Sequence, residues 1–158
     1  MKNILLLEDL PEIRAWLKVL INQVFPDAQI SESARVHDAI ELISAVRFDL
    51  ALIDLGLPDG NGIEVVAALR RFQPAAFPVV VTIYDDDEHL FPALQAGAFG
   101  YLLKEQPRDA LVAQLLRMTQ GEPPLSPPIA RRVLGYFATA SQRLGALVRR
   151  MEDEVSLT

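Results

Sequence analysis

The feature that most constrains this chain is a rhythm of short, wholly apolar runs separated by longer stretches of helical periodicity. Residues 4–7 (Ile-Leu-Leu-Leu), 50–53 (Leu-Ala-Leu-Ile), 78–81 (Pro-Val-Val-Val) and 101–103 (Tyr-Leu-Leu) show no polar alternation. A strand with one wet face alternates polar and apolar residues, whereas a strand covered on both faces does not. These runs therefore read as buried strands, and residues 28–31 supply a further, less apolar one. Helical spacing intervenes each time. Ile13, Trp16, Leu17, Leu20 and Ile21 predict a helix over 11–24, with Pro11 in its first turn. Val36, Ala39, Ile40 and Ile43 predict another over 34–46, with Ser33 as its N-cap. After the turn chemistry of Pro58-Asp59-Gly60-Asn61-Gly62, a helix follows through Ile63, Val66, Ala67 and Leu69. A short helix over 87–96 contains Pro92 and closes at Gly97, and another opens at Pro107 and runs through Leu111, Leu115 and Met118. Five strands alternating with five helices predict an α/β fold with a doubly wound five-stranded parallel sheet.

At 158 residues the chain is long enough for one core without covalent staples, and it contains no cysteine, which excludes disulfides, thiolate metal sites and cysteine nucleophiles. Four apolar residues after Met1-Lys2-Asn3 are too few for a signal-peptide core or a bilayer span, so a cytoplasmic location without membrane attachment is the expectation. Residues 1–120 hold 10 basic and 17 acidic groups, while residues 121–158 hold 5 and 4. Such an acidic body lacks the clustered cations that a nucleic-acid backbone requires. His37 and His89 lie in separate segments, form no metal-ligand pattern and are expected at the surface. Residues 84–89, Tyr-Asp-Asp-Asp-Glu-His, read as a solvated loop and helix start, with acidic groups at the positive end of the helix dipole.

In a parallel α/β sheet, ligands sit beyond the carboxyl ends of the strands. Those ends supply Glu8 and Asp9, Asp54, Thr82 and Lys104. Three converging carboxylates repel one another, and a hard divalent cation such as Mg2+ relieves that repulsion through oxygen ligands. The set points to phosphoryl transfer onto a carboxylate, with Thr82 and Lys104 placed to meet phosphoryl oxygens.

These residues resemble the receiver domain of two-component response regulators, which implies a flavodoxin-like fold. The likeness covers residues 1–120, with Glu8-Asp9 as the acidic pair and Asp54, in Asp54-Leu55-Gly56-Leu57-Pro58-Asp59-Gly60, as the phosphoacceptor. Thr82 matches the switch hydroxyl, Tyr101 the switch aromatic, and Lys104, followed by Glu105, the invariant lysine. The resemblance implies that the Gly56 carbonyl joins Glu8, Asp9 and Asp54 around Mg2+, and that a sensor histidine kinase donates the phosphoryl group. It implies a switch that resets by hydrolysis of its own acyl phosphate, and not a turnover enzyme. It further implies dimerisation on activation through the face around the fourth helix and fifth sheet strand. Ile83 departs from the small residue common after the switch hydroxyl, and is expected to alter access to the phosphoryl site.

Residues 121–158 have another texture. Four prolines fall within 121–128, and two stretches of helical spacing follow, one through Ile129, Val133, Leu134 and Phe137, the other through Leu144, Leu147, Val148 and Met151. They read as a proline-rich linker and helical extension, with a coiled-coil-like dimer contact as one use. Residues 124–132 resemble the segment joining receivers to helix-turn-helix outputs in NarL/FixJ-class transcriptional regulators. The resemblance implies a regulator whose DNA-reading domain lies beyond residue 158, so that residues 1–158 alone bind no DNA. A stand-alone receiver working as a protein-interaction module is the alternative. A phosphohydrolase with an aspartate nucleophile fits less well, because no second carboxylate stands two residues after Asp54 and no insertion is long enough for a cap. A dinucleotide enzyme fits less well still, because Glu8-Asp9-Leu10-Pro11 and not a glycine-rich loop follows the first strand.

Overall fold

The computed structural model describes residues 1–156, which divide into a compact body, Met1–Ser126, and a second unit that starts at Pro127. In the body β1 (Asn3–Leu7), β2 (Gln29–Ser33), β3 (Leu50–Ile53), β6 (Phe77–Thr82) and β7 (Gly100–Leu103) form one sheet in the order β2-β1-β3-β6-β7. All four pairings are parallel. Helices α1 (Pro11–Val24), α2 (Val36–Ala45), α3 (Ile63–Phe72), α4 (Asp87–Ala96) and α5 (Arg108–Met118) make the crossovers. A miniature ribbon, β4 (Gly56–Leu57) and β5 (Gly60–Asn61), sits between β3 and α3.

The apolar runs are buried because helices cover both faces of the sheet. Ile4, Leu6, Leu50, Leu52, Val79, Val81 and Leu102 meet Leu17, Leu20 and Ile21 of α1 and Leu111, Leu115 and Met118 of α5. Ile13 and Trp16 pack partly buried against the same cluster. Intervening residues such as Leu5, Leu7, Ala51 and Ile53 are equally buried and, by strand alternation, face the side of α2, α3 and α4. Each buried Leu, Ile or Val side chain contributes about 1.5–3 kcal/mol on leaving water.

Helix ends are secured from a distance more than locally. The α2 amides of Val36 and His37 donate to the two carboxylate oxygens of Asp59, at 2.8 and 3.0 Å. Asp59 and not Ser33 therefore caps α2; the Ser33 hydroxyl is engaged with the backbone of Arg35. At the opposite end of the body, Gln73 accepts from Phe48 N–H at 2.7 Å and donates to the carbonyls of Ile43 and Val46. Beside it, Asp49 accepts from the amides of Lys2 and Asn3 at 2.7 and 3.0 Å, which holds its carboxyl below the usual range. Pro92 lies inside α4, which ends at Gly97 with φ 113°, a left-handed conformation that favours glycine.

After α5 the chain returns to the sheet edge. Tyr101 N–H donates to Pro124 O at 2.9 Å, Ser126 N–H donates to Tyr101 O at 3.1 Å, and the buried Ser126 hydroxyl accepts from Leu103 N–H. This parallel bridge between Tyr101 and Leu125 covers what is otherwise an open strand edge.

The second unit is one continuous helix, α6 (Pro127–Ser156), where two separate helical stretches were expected. Pro127 and Pro128 occupy its first two positions, where a missing N–H costs nothing.

Candidate functional site

The strand register sets the site. Leu7 pairs with Ile53, Ile53 with Val80, and Thr82 with Leu103, so the carboxyl ends of β1, β3, β6 and β7 stand nearly level. Main-chain bonds fix the residues just beyond them. Glu8 N–H donates to Ser33 O, Asp54 N–H to Leu7 O, and Lys104 N–H to Thr82 O, all at 2.9–3.0 Å.

Lys104 Nζ lies 2.8 and 3.1 Å from the two carboxylate oxygens of Glu8 and 3.1 Å from Asp54 Oδ2. Asp54 Oδ1 accepts from Leu55 N–H at 2.8 Å. One oxygen from each of Glu8, Asp9 and Asp54 falls within 4.8 Å of the others. Glu8 is fully buried and Asp54 is 7% exposed, so neither charge is relieved by bulk water. Burial pushes the Glu8 carboxyl up to about 7; the hydrogen bond from Lys104 opposes this and Asp54 reinforces it. The pocket thus holds three carboxylates against one ammonium.

That donor set fits a hard divalent cation, which takes carboxylate and carbonyl oxygens and keeps waters in its remaining positions. The buried acidic surplus is the observation behind the fit, since a cation would offset the charge that burial, and after it Asp54, makes costly on Glu8. Gly56 lies in the ribbon opposite Asn61, two residues past Asp54.

Thr82 is fully buried, with its hydroxyl 3.5 Å from Tyr84 N–H. Tyr101 is also fully buried, and its hydroxyl donates to Tyr84 O at 2.6 Å. Burial raises the Tyr101 hydroxyl pKa, and the carboxylates of Asp86, Asp85 and Asp54 add to the effect. Ile83 is 56% exposed and does not pack into the core.

Three further residues shape the site and were not singled out from the sequence as parts of it. Gly62 N–H donates to Leu55 O, and a Cβ placed on Gly62 would lie 1.9 Å from Asp54 O. Only glycine permits that approach; its place at the end of Asp59-Gly60-Asn61-Gly62, just before an apolar helix, was the available signal. Tyr84 stacks on His89, with ring centroids 4.1 Å apart and planes 4° from parallel, and its hydroxyl lies beside Gly56. His89 is thus half-buried, not a plain surface residue, and its Nδ1 is 2.7–2.8 Å from both carboxylate oxygens of Asp86. That hydrogen bond holds the Asp86 carboxyl below the usual range. His37 is exposed and meets Glu41 on the same helix.

Residues 4–116 match the response regulator receiver domain family, and the chain belongs to it. Within that family its likeness runs to the NarL/LuxR class of transcriptional regulators. It is 32% identical over 159 residues to the nitrate/nitrite response regulator protein NarL of Escherichia coli, an alignment spanning 98% of this chain and 74% of NarL. It is 33% identical over 136 residues to the response regulator protein PilR of Pseudomonas aeruginosa, covering 83% of this chain but only 29% of PilR. The crystal structure of a LuxR-family two-component response regulator from Aurantimonas sp. SI85-9A1 superposes with a TM-score of 0.76 at 28% identity, over 86% of this chain and 97% of that one. A CheY-like receiver domain from Methanospirillum hungatei gives 0.69 at 26% identity, over 77% and 95%. Among the described residues no helix is long and apolar enough to cross a membrane.

Proposed function

We propose that Asp54 accepts a phosphoryl group from a sensor histidine kinase, and that this receiver thereby controls a transcriptional output carried by the longer protein. The observation that supports this best is the meeting of Asp54 with Glu8, Asp9 and Lys104 at one end of the sheet, the carboxylates mutually close and incompletely neutralised. Glu8, Asp9, Asp54 and the Gly56 carbonyl would hold Mg2+, which would supply charge neutralisation for an incoming phosphoryl group. Lys104 presents an ammonium between Glu8 and Asp54 and can exchange a carboxylate for a phosphoryl oxygen. The Thr82 hydroxyl, one strand away from Asp54, donates to another phosphoryl oxygen once drawn toward it. Tyr101 follows, because its hydroxyl is bonded to the backbone of Tyr84, two residues past Thr82. The new charge on Asp54 thus biases a two-state element, and its hydrolysis resets that element. The division proposed is a phosphoacceptor domain over 1–120 and a linker and helical extension over 121–158. The full-length protein works in the cytoplasm, dimerises on activation and binds DNA through a domain outside the present sequence. Exposed Ile83, next to buried Thr82, tunes access to the phosphoryl site, so Ile83→Ala changes the lifetime of the acyl phosphate.

Incubation with Mg2+ and acetyl phosphate, followed by intact mass, tests the reading. The expected result is the gain of one phosphoryl mass in wild type and none in Asp54→Asn. Absence of the gain with small donors and purified kinases alike would replace it with a phosphorylation-independent interaction module.

A further inference from the structure

Along α6, positions 134, 137, 141, 144, 148 and 151 are separated alternately by three and four residues, the repeat of a coiled-coil seam. They are Leu134, Phe137, Ser141, Leu144, Val148 and Met151. The five apolar side chains of this seam are 44–69% exposed, and Leu147 on its flank is 52% exposed. A lone helix gains nothing from such a stripe; the stripe is stable only when a second surface covers it.

We propose that α6 pairs with α6 of a second copy of this chain, and that the two helices run antiparallel. Side-chain volumes carry the orientation. Antiparallel pairing sets Leu134 against the partner's Met151, Phe137 against the partner's Val148, and Ser141 against the partner's Leu144, then repeats these layers through the two-fold axis. The large Phe137 is thereby set against the smaller Val148, and the small Ser141 against the larger Leu144, which fills the seam more evenly. Parallel pairing instead stacks Phe137 on the partner's Phe137 and leaves a hollow, hydroxyl-bearing Ser141 layer.

The flanks agree. Arg131 precedes the seam, and Glu152 and Glu154 follow it. Antiparallel pairing brings the basic start of each helix beside the acidic end of its partner, whereas parallel pairing puts like charges together. Arg149 and Arg150 fall on the side of the heptad away from the seam. In the middle of the flank, Ala138 meets the partner's Gly145, and Ala140 leaves room for the partner's Leu147. A Cβ added to Gly145 would touch nothing within this chain. The same small residues let two helix axes approach closely.

The seam spans about 26 Å at 1.5 Å per residue, only two to three heptads, so the association is weaker than that of a long coiled coil. It does not depend on the phosphoacceptor reading, since none of its residues lies in the pocket.

The experiment is sedimentation equilibrium of the full chain over micromolar and higher concentrations, together with site-directed crosslinking. The chain has no cysteine, so single replacements report cleanly. Leu134→Cys mixed with Met151→Cys is expected to give the mixed crosslinked dimer under oxidation, while Leu134→Cys alone gives little. Leu144→Asp should abolish self-association with the thermal transition of the body unchanged. Arg131→Glu and Glu152→Arg should each weaken the dimer about tenfold, and their combination should restore it. A chain that stays monomeric at all concentrations overturns the proposal and leaves the stripe to another partner. A dominant Leu134→Cys self-crosslink, or a dimer indifferent to Leu144→Asp, overturns it as well.

Discussion

Strand β3 carries an aspartate at each end, and the two are used in opposite ways. Asp49, before the strand, accepts two main-chain amides and is held below the usual carboxylate range. Nearby Gln73 satisfies three more backbone groups. Asp54, after the strand, shares a single ammonium with Glu8 and has Asp9 close by, and burial, reinforced by Asp54, raises the Glu8 carboxyl. Polar groups at the amino end complete the fold, while those at the carboxyl end are left with a deficit that a ligand can fill. The difference teaches where a sheet of this kind can store reactivity without unravelling.

The largest perturbation should come from Gly62→Ala. Its Cβ collides with the Asp54 carbonyl, so it should cost about 3 kcal/mol or more in urea unfolding and also suppress phosphoryl labelling. If it were tolerated, the pocket end would be slack and the contrast would fail. Gln73→Ala should cost about 2 kcal/mol by orphaning buried backbone groups, yet leave labelling per folded molecule unchanged.

The pH dependence separates the two ends by sign. In metal-free protein Glu8 titrates near 7 when folded and near 4.5 when unfolded, so the folded state binds the extra proton between those values. Stability from this group is complete below pH 4.5 and is lost as pH rises toward 7. Glu8→Gln should flatten that slope and raise metal-free stability at neutral pH by about 1 kcal/mol. Added Mg2+ should raise the melting temperature more at pH 7.5 than at pH 5, where protons compete for the same oxygens. Asp49 does the reverse. Its folded pKa lies below 3.8, so its contribution is present above that value and is lost as pH falls through the folded pKa. Asp49→Asn should cost about 0.5–1 kcal/mol at neutral pH and nothing in strong acid. A loss that persisted in acid would show that Asp49 acts by shape and not by charge.

Much of this was legible in the sequence because both signals are one-dimensional. Doubly covered strands betray themselves as apolar runs, and the strand ends then name Glu8, Asp9, Asp54, Thr82 and Lys104 without further geometry. What escaped depends on contacts between distant segments. Nothing local shows that Asp59, 23 residues away, caps Val36 in place of the neighbouring Ser33. The Tyr84 and His89 stack needs the turn between them to be known. The helical spacing through Phe137 and that from Leu144 read as two stretches, yet they belong to one helix. Serine is only mildly unfavourable inside a helix, and the Gln142 and Arg143 that follow are good formers, so α6 continues through Ser141.

The stitch between Tyr101 and residues 124–126 has a mechanical consequence. A flexible tether would absorb a small twist of the edge strand within its own slack. Here the chain is clamped on both sides of Leu125 to the residue whose hydroxyl reaches back to Tyr84. A rotation of β7 is therefore conveyed to the point where the body ends, Ser126, with almost no play, much as a crank moves a shaft keyed directly to it.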